Sequence, residues 1–449
     1  MLASWILHRL RFATKGFSRL ETPDGDNTWM VLKLADLRFS DGLGKAIDVE
    51  GALRVPEKFL ARFDKTGISI PGVSRIQQVL AALWAMRTGS SLLYALDSSG
   101  FIPTLLNDTT RRFKKELDCG LFWFQSSGST GQSKYVLHSS KNLQQSSILL
   151  AQAHPSLTSG RVINWFPTRY MAGILNGVIF PLTVGAEAFI APEFTFASPR
   201  QLHKFLKSGH PNHVWVSPNM LSSLLVGSSA ETLAKVDTII NATGGISQKQ
   251  FESAKKKGIR ELINSYGSTE LLFHSSSSGS KQWEGVGRAL QGIDISFSEQ
   301  NAIQITSPTA ALCLVDGSGQ EEIALPQPLI TSDSGKTISG GNLSITGRLD
   351  DYVSIGGLQE NLRTIEEVAE SAEGVIVAVL RYEELITHRD LTLIIEAETA
   401  DSRKLEGRLR ELIAETLGPN RVPGKIIFET VERLPSGKPR RNRAGRDTL

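Results

Sequence analysis

Short apolar runs alternate with helical patterns through the middle of the chain, and this alternation constrains the fold more than any other feature. Three such runs, VINWF, HVWVS and VDTIINAT, cover residues 162–166, 213–217 and 236–243. A helical pattern, QKQFESAKKKG, follows at residues 248–258. Strands that alternate with helices predict a parallel α/β arrangement, in which the loops at the strand ends carry the chemistry.

The pattern changes after Gly292. The segments GIDISF, AIQITS and LSITG alternate apolar and polar residues at period two, which predicts a small β-rich subdomain of antiparallel strands. Further on, apolar runs over 374–382, 390–397 and 425–431 flank a helical stripe between Asp401, a predicted N-cap, and Gly418.

The predicted fold class is therefore α/β with two domains. Residues 1–349 would form a large domain of layered α/β subdomains with the β-rich subdomain. Residues 350–449 would form a C-terminal α+β domain, large enough to fold alone.

A loop rich in serine and glycine, SSGSTGQSK, spans residues 126–134 directly behind the apolar run LFWF. Glycines let backbone N–H groups approach an anion, hydroxyls add donors and the lysine adds a point charge, so the loop suits a polyphosphate. It lacks the spacing of a Walker A loop, and a solvated linker is the alternative. The candidate residues are Ser127, Gly128, Ser129, Thr130, Gly131 and Lys134.

Three further motifs follow the loop in chain order: NSYGSTE at 264–270, GRLDDYVSIGG at 347–357 and LPSGKPRR at 434–441. In this order and spacing, the four motifs resemble those of the adenylate-forming (AMP-binding) superfamily of acyl-CoA synthetases. The resemblance extends over about residues 75 to 449. It implies ATP, Mg²⁺ and CoA as ligands, and a carboxylic acid that is first adenylated and then transferred to a thiol.

The resemblance also assigns roles around the nucleotide base and its α-phosphate. Gly244 and Gly245 would let adenine lie against the backbone, Tyr266 would stack on adenine, and Thr269 would donate to the α-phosphate. Gly267 would also belong to the nucleotide site. The alternative for the glycine pair is a strand-to-helix turn that needs no ligand.

The metal and ribose contacts follow from the same likeness. Glu270 and Thr130 would bind Mg²⁺, although a carboxylate at position 270 also suits the start of a helix. Asp333 would bind the ribose hydroxyls and Arg348 would lie beside them. Thr331-Ser332-Asp333 replaces the superfamily's usual Thr-Gly-Asp.

Asp350 resembles the hinge of the small domain, and Gly356 and Gly357 the backbone beside a pantetheine arm. Lys438 resembles the lysine that bridges carboxylate and phosphate oxygens during adenylation. With Thr130 and Glu270 it completes the predicted catalytic set, although a lysine is usually a surface residue.

The composition of the 449 residues, 40% hydrophobic and 21% charged, predicts a soluble enzyme, and a net charge of +3 does not favour nucleic-acid binding. The apolar stretch at 171–191 is interrupted by polar residues and proline, so we expect a buried helix and strand without a membrane span. Residues 1–12 are predicted to form a helix of the mature protein. Two cysteines, Cys119 and Cys313, fit a reducing cytoplasm.

Substrate choice rests on FPTRYMAG at residues 166–173, which most resembles the o-succinylbenzoate-CoA ligases of menaquinone synthesis. Tyr170 replaces a common histidine, and Arg169 is placed to read a second carboxylate or is simply a surface arginine. Other aryl- or acyl-CoA ligases, an adenylation enzyme that loads a carrier protein, and a noncatalytic relative that only binds nucleotide remain alternatives. The oligomeric state is open, with a homodimer as one option. The basic C-terminal tail is a frayed end or a contact for a CoA phosphate.

Overall fold

The computed structural model of the protein describes residues 30–32, 39–41, 67–69, 75–94, 104–117, 119–126, 134–195, 197–246, 248–277, 282–349, 352–355, 358–384, 389–398, 401–433 and 439. The chain divides into two compact units. Unit 1 comprises residues 1–296, 304–329 and 337–344, and unit 2 comprises residues 297–303, 330–336 and 345–449.

The strands are numbered in chain order. They are β1 (Met30–Leu32), β2 (Phe39–Asp41), β3 (Gly67–Ser69), β4 (Ser91–Tyr94), β5 (Leu121–Ser126), β6 (Lys134–Ser139), β7 (Arg161–Asn164), β8 (Glu187–Ile190), β9 (Asn212–Val216), β10 (Thr238–Asn241), β11 (Glu261–Ser268), β12 (Leu272–Ser276), β13 (Arg288–Ala289), β14 (Asp294–Phe297), β15 (Ala302–Thr306), β16 (Cys313–Asp316), β17 (Glu322–Ile323), β18 (Leu329–Ile338), β19 (Asn342–Arg348), β20 (Tyr352–Ile355), β21 (Leu358–Asn361), β22 (Val375–Glu384), β23 (Arg389–Ala397) and β24 (Lys425–Phe428).

The α-helices are α1 (Arg75–Thr88), α2 (Thr104–Glu116), α3 (Ser140–Ala153), α4 (Met171–Ile174), α5 (Phe180–Val184), α6 (Ser198–Phe205), α7 (Pro218–Gly227), α8 (Ala230–Leu233), α9 (Gln248–Lys256), α10 (Leu362–Glu370) and α11 (Ser402–Leu417). A π-helical turn, Leu175–Ile179, joins α4 to α5, and short 3₁₀ turns occupy Pro155–Thr158, Ser339–Gly341 and Pro419–Arg421.

A nine-stranded sheet in the order β13-β12-β11-β10-β9-β7-β8-β1-β2 is the framework of unit 1. Its central strands β11, β10, β9, β7 and β8 are parallel, and the outer neighbours β12 and β1 pair antiparallel with them. The apolar runs of the sequence form these central strands because parallel strands are buried on both faces. The predicted parallel α/β arrangement is thus confirmed.

Helices cover both faces of this sheet. On one face, α6, α7 and α9 contribute Leu202, Leu224 and Phe251 to a core that also contains Val214 and Ile239. On the opposite face the ring of Phe180 in α5 meets Trp215 in β9 edge to face, 6.1 Å between centroids. Burial of such side chains stabilises a fold by roughly 1.5–3 kcal/mol each.

A second sheet, β17-β16-β6-β5-β4-β3, has parallel pairing only at β3-β4-β5. The predicted buried strand before the phosphate loop is β5, whose residues 121–124 are at most 1% exposed. Strand β6 returns antiparallel to β5 with Lys134 directly opposite Ser126. The loop of seven residues between them therefore closes a hairpin.

Strands β14, β15, β18 and β19 form a separate four-stranded sheet, where the period-two pattern predicted strands. In unit 2, β20 and β21 pair as a hairpin, and β22-β23-β24 form a sheet with α10 and α11 packed on one face. Helix α11 begins as expected, because the Asp401 carboxylate accepts a hydrogen bond from the Lys404 N–H at 3.1 Å, and Gly418 follows its end.

Several predictions concern residues outside the described ranges. They include the helix over 1–12 and the hinge at Asp350, so the division into domains 1–349 and 350–449 stays a prediction. Within the described residues, no helix is long and apolar enough to cross a membrane. The stretch at 171–191 instead forms α4, the π turn, α5 and β8, a buried helical segment and a strand as expected.

An ion-pair cluster marks the N-terminal edge of the parallel strands. Glu187 at the start of β8 accepts from Arg161 Nε at 2.6 Å and from Lys207 Nζ at 2.8 Å. Burial alone would raise the pKa of the Glu187 carboxyl, but the hydrogen bonds and charges of Lys207 and Arg161 outweigh it and hold the pKa below 4.5. The carboxylate therefore stabilises the fold at neutral pH.

We expect Glu187→Gln to lower the free energy of unfolding at pH 7 by about 3 kcal/mol, because it leaves two partly buried cations unpaired. The native pKa is depressed, so this stabilisation is present above the unfolded value of about 4.5 and is lost as pH falls through the native pKa. The difference between variant and wild type should narrow below pH 4.5 in urea unfolding experiments.

The matched control is Glu231→Gln, which removes an exposed ion pair of 2.7 Å with Lys235, four residues further along the chain. Exposed pairs of this kind contribute little to stability, so the control should unfold like wild type. A Glu187 variant that also unfolds like wild type at pH 7 would show that the cluster is not stabilising.

Candidate active site

The carboxyl ends of β7, β9, β10 and β11 lie at one edge of the parallel sheet, where open α/β sheets bind their ligands. The turns that follow β10 and β11, together with the last residues of β11, contain six of the predicted site residues. Because these two strands are neighbours in register, the structure brings both turns to the same place. The six residues are Gly244, Gly245, Tyr266, Gly267, Thr269 and Glu270.

Two buried asparagines hold the Gly244 turn. The Asn241 side-chain Nδ2 donates to the Gly244 carbonyl at 2.7 Å and to Asn264 Oδ1 at 2.8 Å. Asn264 in turn donates to the Gly285 carbonyl at 2.7 Å. Thr243, with φ of 67°, adopts a left-handed conformation that few non-glycine residues accept. The turn is therefore fixed by side chains beneath it.

The glycine pair occupies a strand-to-helix turn between β10 and α9, as the ligand-free alternative described. A Cβ on Gly244 would approach Pro218 Cγ to 3.2 Å, while a Cβ on Gly245 would meet no atom within 4 Å. Internal packing therefore does not require a glycine at position 245. Open space beside an exposed backbone is what a flat base would need.

Thr269 and Glu270 form the tip of a hairpin between β11 and β12, so the alternative of a helix start at Glu270 is wrong. The pairing shifts at a bulge next to Gly267. A Cβ at this position would lie 2.5 Å from the Leu272 carbonyl oxygen, so close backbone approach requires glycine here. Leu272 itself has φ of 65°.

Backbone contacts on both sides fix the hairpin tip. His138 Nε2 lies 2.7 Å from the Thr269 carbonyl, and the Ala311 N–H donates to the Glu270 carbonyl at 2.8 Å. Burial lowers the pKa of His138 to about 4, against a smaller opposing effect of that hydrogen bond. The imidazole is therefore neutral at pH 7, and its Nε2–H donates to the carbonyl. The Thr269 and Glu270 side chains remain partly exposed.

Tyr266 is 8% exposed, and its ring meets His274 edge to face with 4.9 Å between centroids. Burial lowers the pKa of His274 to about 3, so this ring is also neutral. The stacking of Tyr266 on adenine stays a prediction.

The metal prediction rests on Glu270 and Thr130. Among the described residues no group of three His, Cys, Asp or Glu side chains could hold a metal. A partly exposed carboxylate at the hairpin tip suits a hard cation that takes its other ligands from phosphate oxygens. Glu270 thus fits Mg²⁺ bound together with a nucleotide. Thr130 lies outside the described residues.

The phosphate loop is described only at its two ends. Ser127, Gly128, Ser129, Thr130 and Gly131 all lie outside the described residues. Lys134 begins β6 and is partly exposed. The phosphate-binding role of this loop stays a prediction.

Unit 2 contains the predicted ribose contacts. Arg348 Nη1 lies 3.5 Å from Asp333 Oδ1, which brings together two residues that the sequence separates by fifteen positions. The Thr331 hydroxyl accepts from the Asp333 N–H at 3.1 Å and fixes the backbone there. The Asp333 carboxylate is partly exposed.

Gly356, Gly357, Asp350 and Lys438 lie outside the described residues. Their predicted roles remain untested.

Sequence reasoning missed the residues that support the turns. Asn241 ends its strand three residues before Gly244, and Asn264 opens the NSYGSTE motif, so both positions offered a signal. His138 offered none, because its contact with Thr269 joins residues 131 positions apart.

Residues 106–304 match the AMP-binding enzyme family model. The benzoate–CoA ligase of Thauera aromatica is 22% identical over 334 residues, which cover 70% of this chain and 63% of that ligase. The chain therefore spans less than two thirds of this relative.

Two solved structures have the same fold. One is o-succinylbenzoate coenzyme A synthetase from Bacillus subtilis in complex with AMP, with a TM-score of 0.68, 16% identity and coverage of 99% of this chain and 98% of that one. The other is an amide bond synthetase from Marinactinospora thermotolerans, with a TM-score of 0.66, 15% identity and coverage of 88% and 94%. The predicted fold class is confirmed by these likenesses.

Proposed function

We propose that this chain is an ATP-dependent acid–thiol ligase that converts a carboxylic acid into its CoA thioester through an acyl-adenylate. The observation that carries the proposal is the pair of fixed turns, Gly244–Gly245 and Thr269–Glu270, on neighbouring strands of an AMP-binding enzyme domain. Preorganised donors at the site of developing charge are the main source of catalysis in phosphoryl chemistry.

In the first step a carboxylate oxygen attacks the α-phosphorus, and the bond from that phosphorus to the bridging oxygen of pyrophosphate breaks. The Thr269 hydroxyl would donate to an α-phosphate oxygen, and Lys438 would neutralise charge on the carboxylate and phosphate. Bound Mg²⁺ would neutralise phosphate charge, held by Glu270 and Thr130. In the second step a thiolate sulfur attacks the acyl carbon. The bond from that carbon to the oxygen that bridges it to phosphorus breaks, and AMP leaves with this bridging oxygen.

Two domain orientations would separate these steps. In the proposed cycle the small domain turns about Asp350 after adenylation, which removes Lys438 and brings Gly356 and Gly357 towards the pantetheine arm.

The preferred acid in this proposal is o-succinylbenzoate, and the cellular role is menaquinone synthesis. Arg169 supports this choice. It lies on the turn after β7, at the same sheet edge as the glycine turn, with its side chain 35% exposed. Its guanidinium is 5.2 Å from the centroid of the Tyr170 ring and 4.0 Å from Glu193 Oε1. A cation there could bind a second carboxylate.

The experiment that tests the proposal is a panel of carboxylic acids incubated with ATP, with and without Mg²⁺ and CoA. We expect AMP and pyrophosphate to appear only when an acid and Mg²⁺ are present. Release of ADP and phosphate instead would contradict adenylation. Acyl-adenylate that accumulates with no thioester when CoA is added would favour a carrier-protein thiol or an amine as the acceptor.

For substrate identity, o-succinylbenzoate should give the highest kcat/KM of the panel. Arg169→Ala should lower kcat/KM for o-succinylbenzoate about 30-fold, since a lost charge-assisted hydrogen bond costs about 2 kcal/mol. Benzoate, which lacks the second carboxylate, is the matched control and should lose little. If o-succinylbenzoate does not react while a simple aryl acid does, the assignment of o-succinylbenzoate as the substrate is refuted. The proposal of an acid–thiol ligase is not affected by that result.

A further inference from the structure

The segment after β7, residues 165–173, is held from beneath by the last residue of that strand. Asn164 is fully buried. Its Oδ1 accepts from the Phe166 N–H at 3.2 Å, and its Nδ2 donates to the Gly173 carbonyl at 3.1 Å. One amide thus joins the beginning and the end of the segment that carries Arg169.

Two glycines allow the segment to fold back this tightly. A Cβ on Gly173 would lie 2.1 Å from the Pro167 carbonyl oxygen, and a Cβ on Gly177 would lie 2.2 Å from Asn164 Nδ2. Gly177 is within the π-helical turn Leu175–Ile179, and such turns occur frequently at functional sites. The fold therefore leaves this backbone little room to move.

Helix α1 contacts the same segment with a charged side chain. Arg75 Nη2 donates to the Phe166 carbonyl at 2.7 Å and to the Trp165 carbonyl at 3.2 Å. Burial lowers the pKa of Arg75 to about 10, which leaves the guanidinium charged at neutral pH. Its Nε and Nη1 atoms are also buried and have no hydrogen-bond partner among the residues that the structure describes. Burying a guanidinium in this way costs free energy of folding, so a contribution to overall stability does not explain why arginine occupies position 75.

A second contact comes from the same helix, three residues further on. The Thr168 hydroxyl donates to Gln78 Oε1 at 2.5 Å, and the Tyr94 hydroxyl donates to the Gln78 carbonyl at 2.9 Å. Residues three apart lie on one face of a helix, so Arg75 and Gln78 present one polar face to the segment. Thr168 and Tyr94 are fully buried, and Gln78 is nearly so.

We propose that Arg75 and Gln78 are positioning residues for acid recognition. They hold the backbone of residues 165–168 so that Arg169 and Tyr170 are presented to the acyl group at the carboxyl edge of the sheet. This inference rests on the proposed function and extends it, because it assigns acid selectivity to helix α1. The nucleotide turns after β10 and β11 are held by other side chains and would not depend on it.

The test compares two arginines that make contacts at opposite ends of β7. Arg75 contacts the turn after β7, whereas Arg161 begins β7, donates to the Phe205 carbonyl at 2.8 Å and pairs with Glu187. We expect Arg75→Met to raise KM for the acid about tenfold or more with KM for ATP within about twofold, because displaced positioning groups weaken only the contacts they orient. Arg161→Met should lower the melting temperature and leave both KM values unchanged.

A second, milder variant keeps the test valid if Arg75→Met does not fold. Thr168→Val removes only the hydroxyl that contacts Gln78, and it should raise KM for the acid in the same direction by a smaller factor. If Arg75→Met and Thr168→Val lower the melting temperature without changing KM for any acid, as Arg161→Met should do, then helix α1 has only a structural role.

Hydrogen exchange tests the positioning role without any reaction. The amides of Tyr170 and Gly173 donate to the Pro167 and Tyr170 carbonyls within the segment. Their exchange should be faster in Arg75→Met and unchanged in Arg161→Met, while the amides of β9 stay protected in both. Unchanged exchange at these two amides in Arg75→Met would overturn the inference. A wild-type protein that adenylates no acid would refute only the proposed function.

Discussion

Hydrogen bonds from buried amide side chains to backbone carbonyls are the interaction on which the candidate site depends. Asn164 joins Phe166 to Gly173, and Asn241 holds the Gly244 carbonyl. A buried backbone carbonyl without a partner costs about 1–3 kcal/mol, so turns that leave the regular ladder need such donors. Asparagine supplies a donor and an acceptor without charge. The turns can therefore be rigid before any ligand arrives.

The two edges of the parallel sheet use different chemistry. At the amino edge, ion pairs such as Glu187 with Arg161 stabilise the strands. At the carboxyl edge, hydrogen bonds to backbone carbonyls support the turns: from the neutral His138 and Asn241 after β10 and β11, and from the charged Arg75 after β7. The side chains of Arg169 and Glu270 are partly exposed there. In the proposed function, this edge binds an anionic nucleotide and an acid. This separation allows stability and binding to be altered independently.

Much of the fold could be predicted from the sequence, because continuous apolar runs and helix caps are local signals. The strands β7, β9 and β10 and the capped helix α11 follow from such signals. The hairpin tip at Glu270 could not be predicted, because a carboxylate after a strand also suits a helix start and only the pairing of β11 with β12 decides between them. The approach of helix α1 to the segment after β7 joins residues about 90 positions apart, and no local pattern reports it.

Binding of AMP, measured by calorimetry, tests whether buried amides preform the turns after β10 and β11 that are proposed to bind the nucleotide. Asn241→Leu removes the donor to Gly244, whereas Thr238→Val removes a bond of 2.6 Å to Glu261 at the opposite end of the same strand. We expect Asn241→Leu to weaken AMP binding about tenfold or more, since lost preorganisation is a binding cost. Thr238→Val should bind AMP like wild type, even if both variants lose stability. If folded Asn241→Leu binds AMP with the same affinity as wild type, then the buried amide does not preform the turn for the nucleotide.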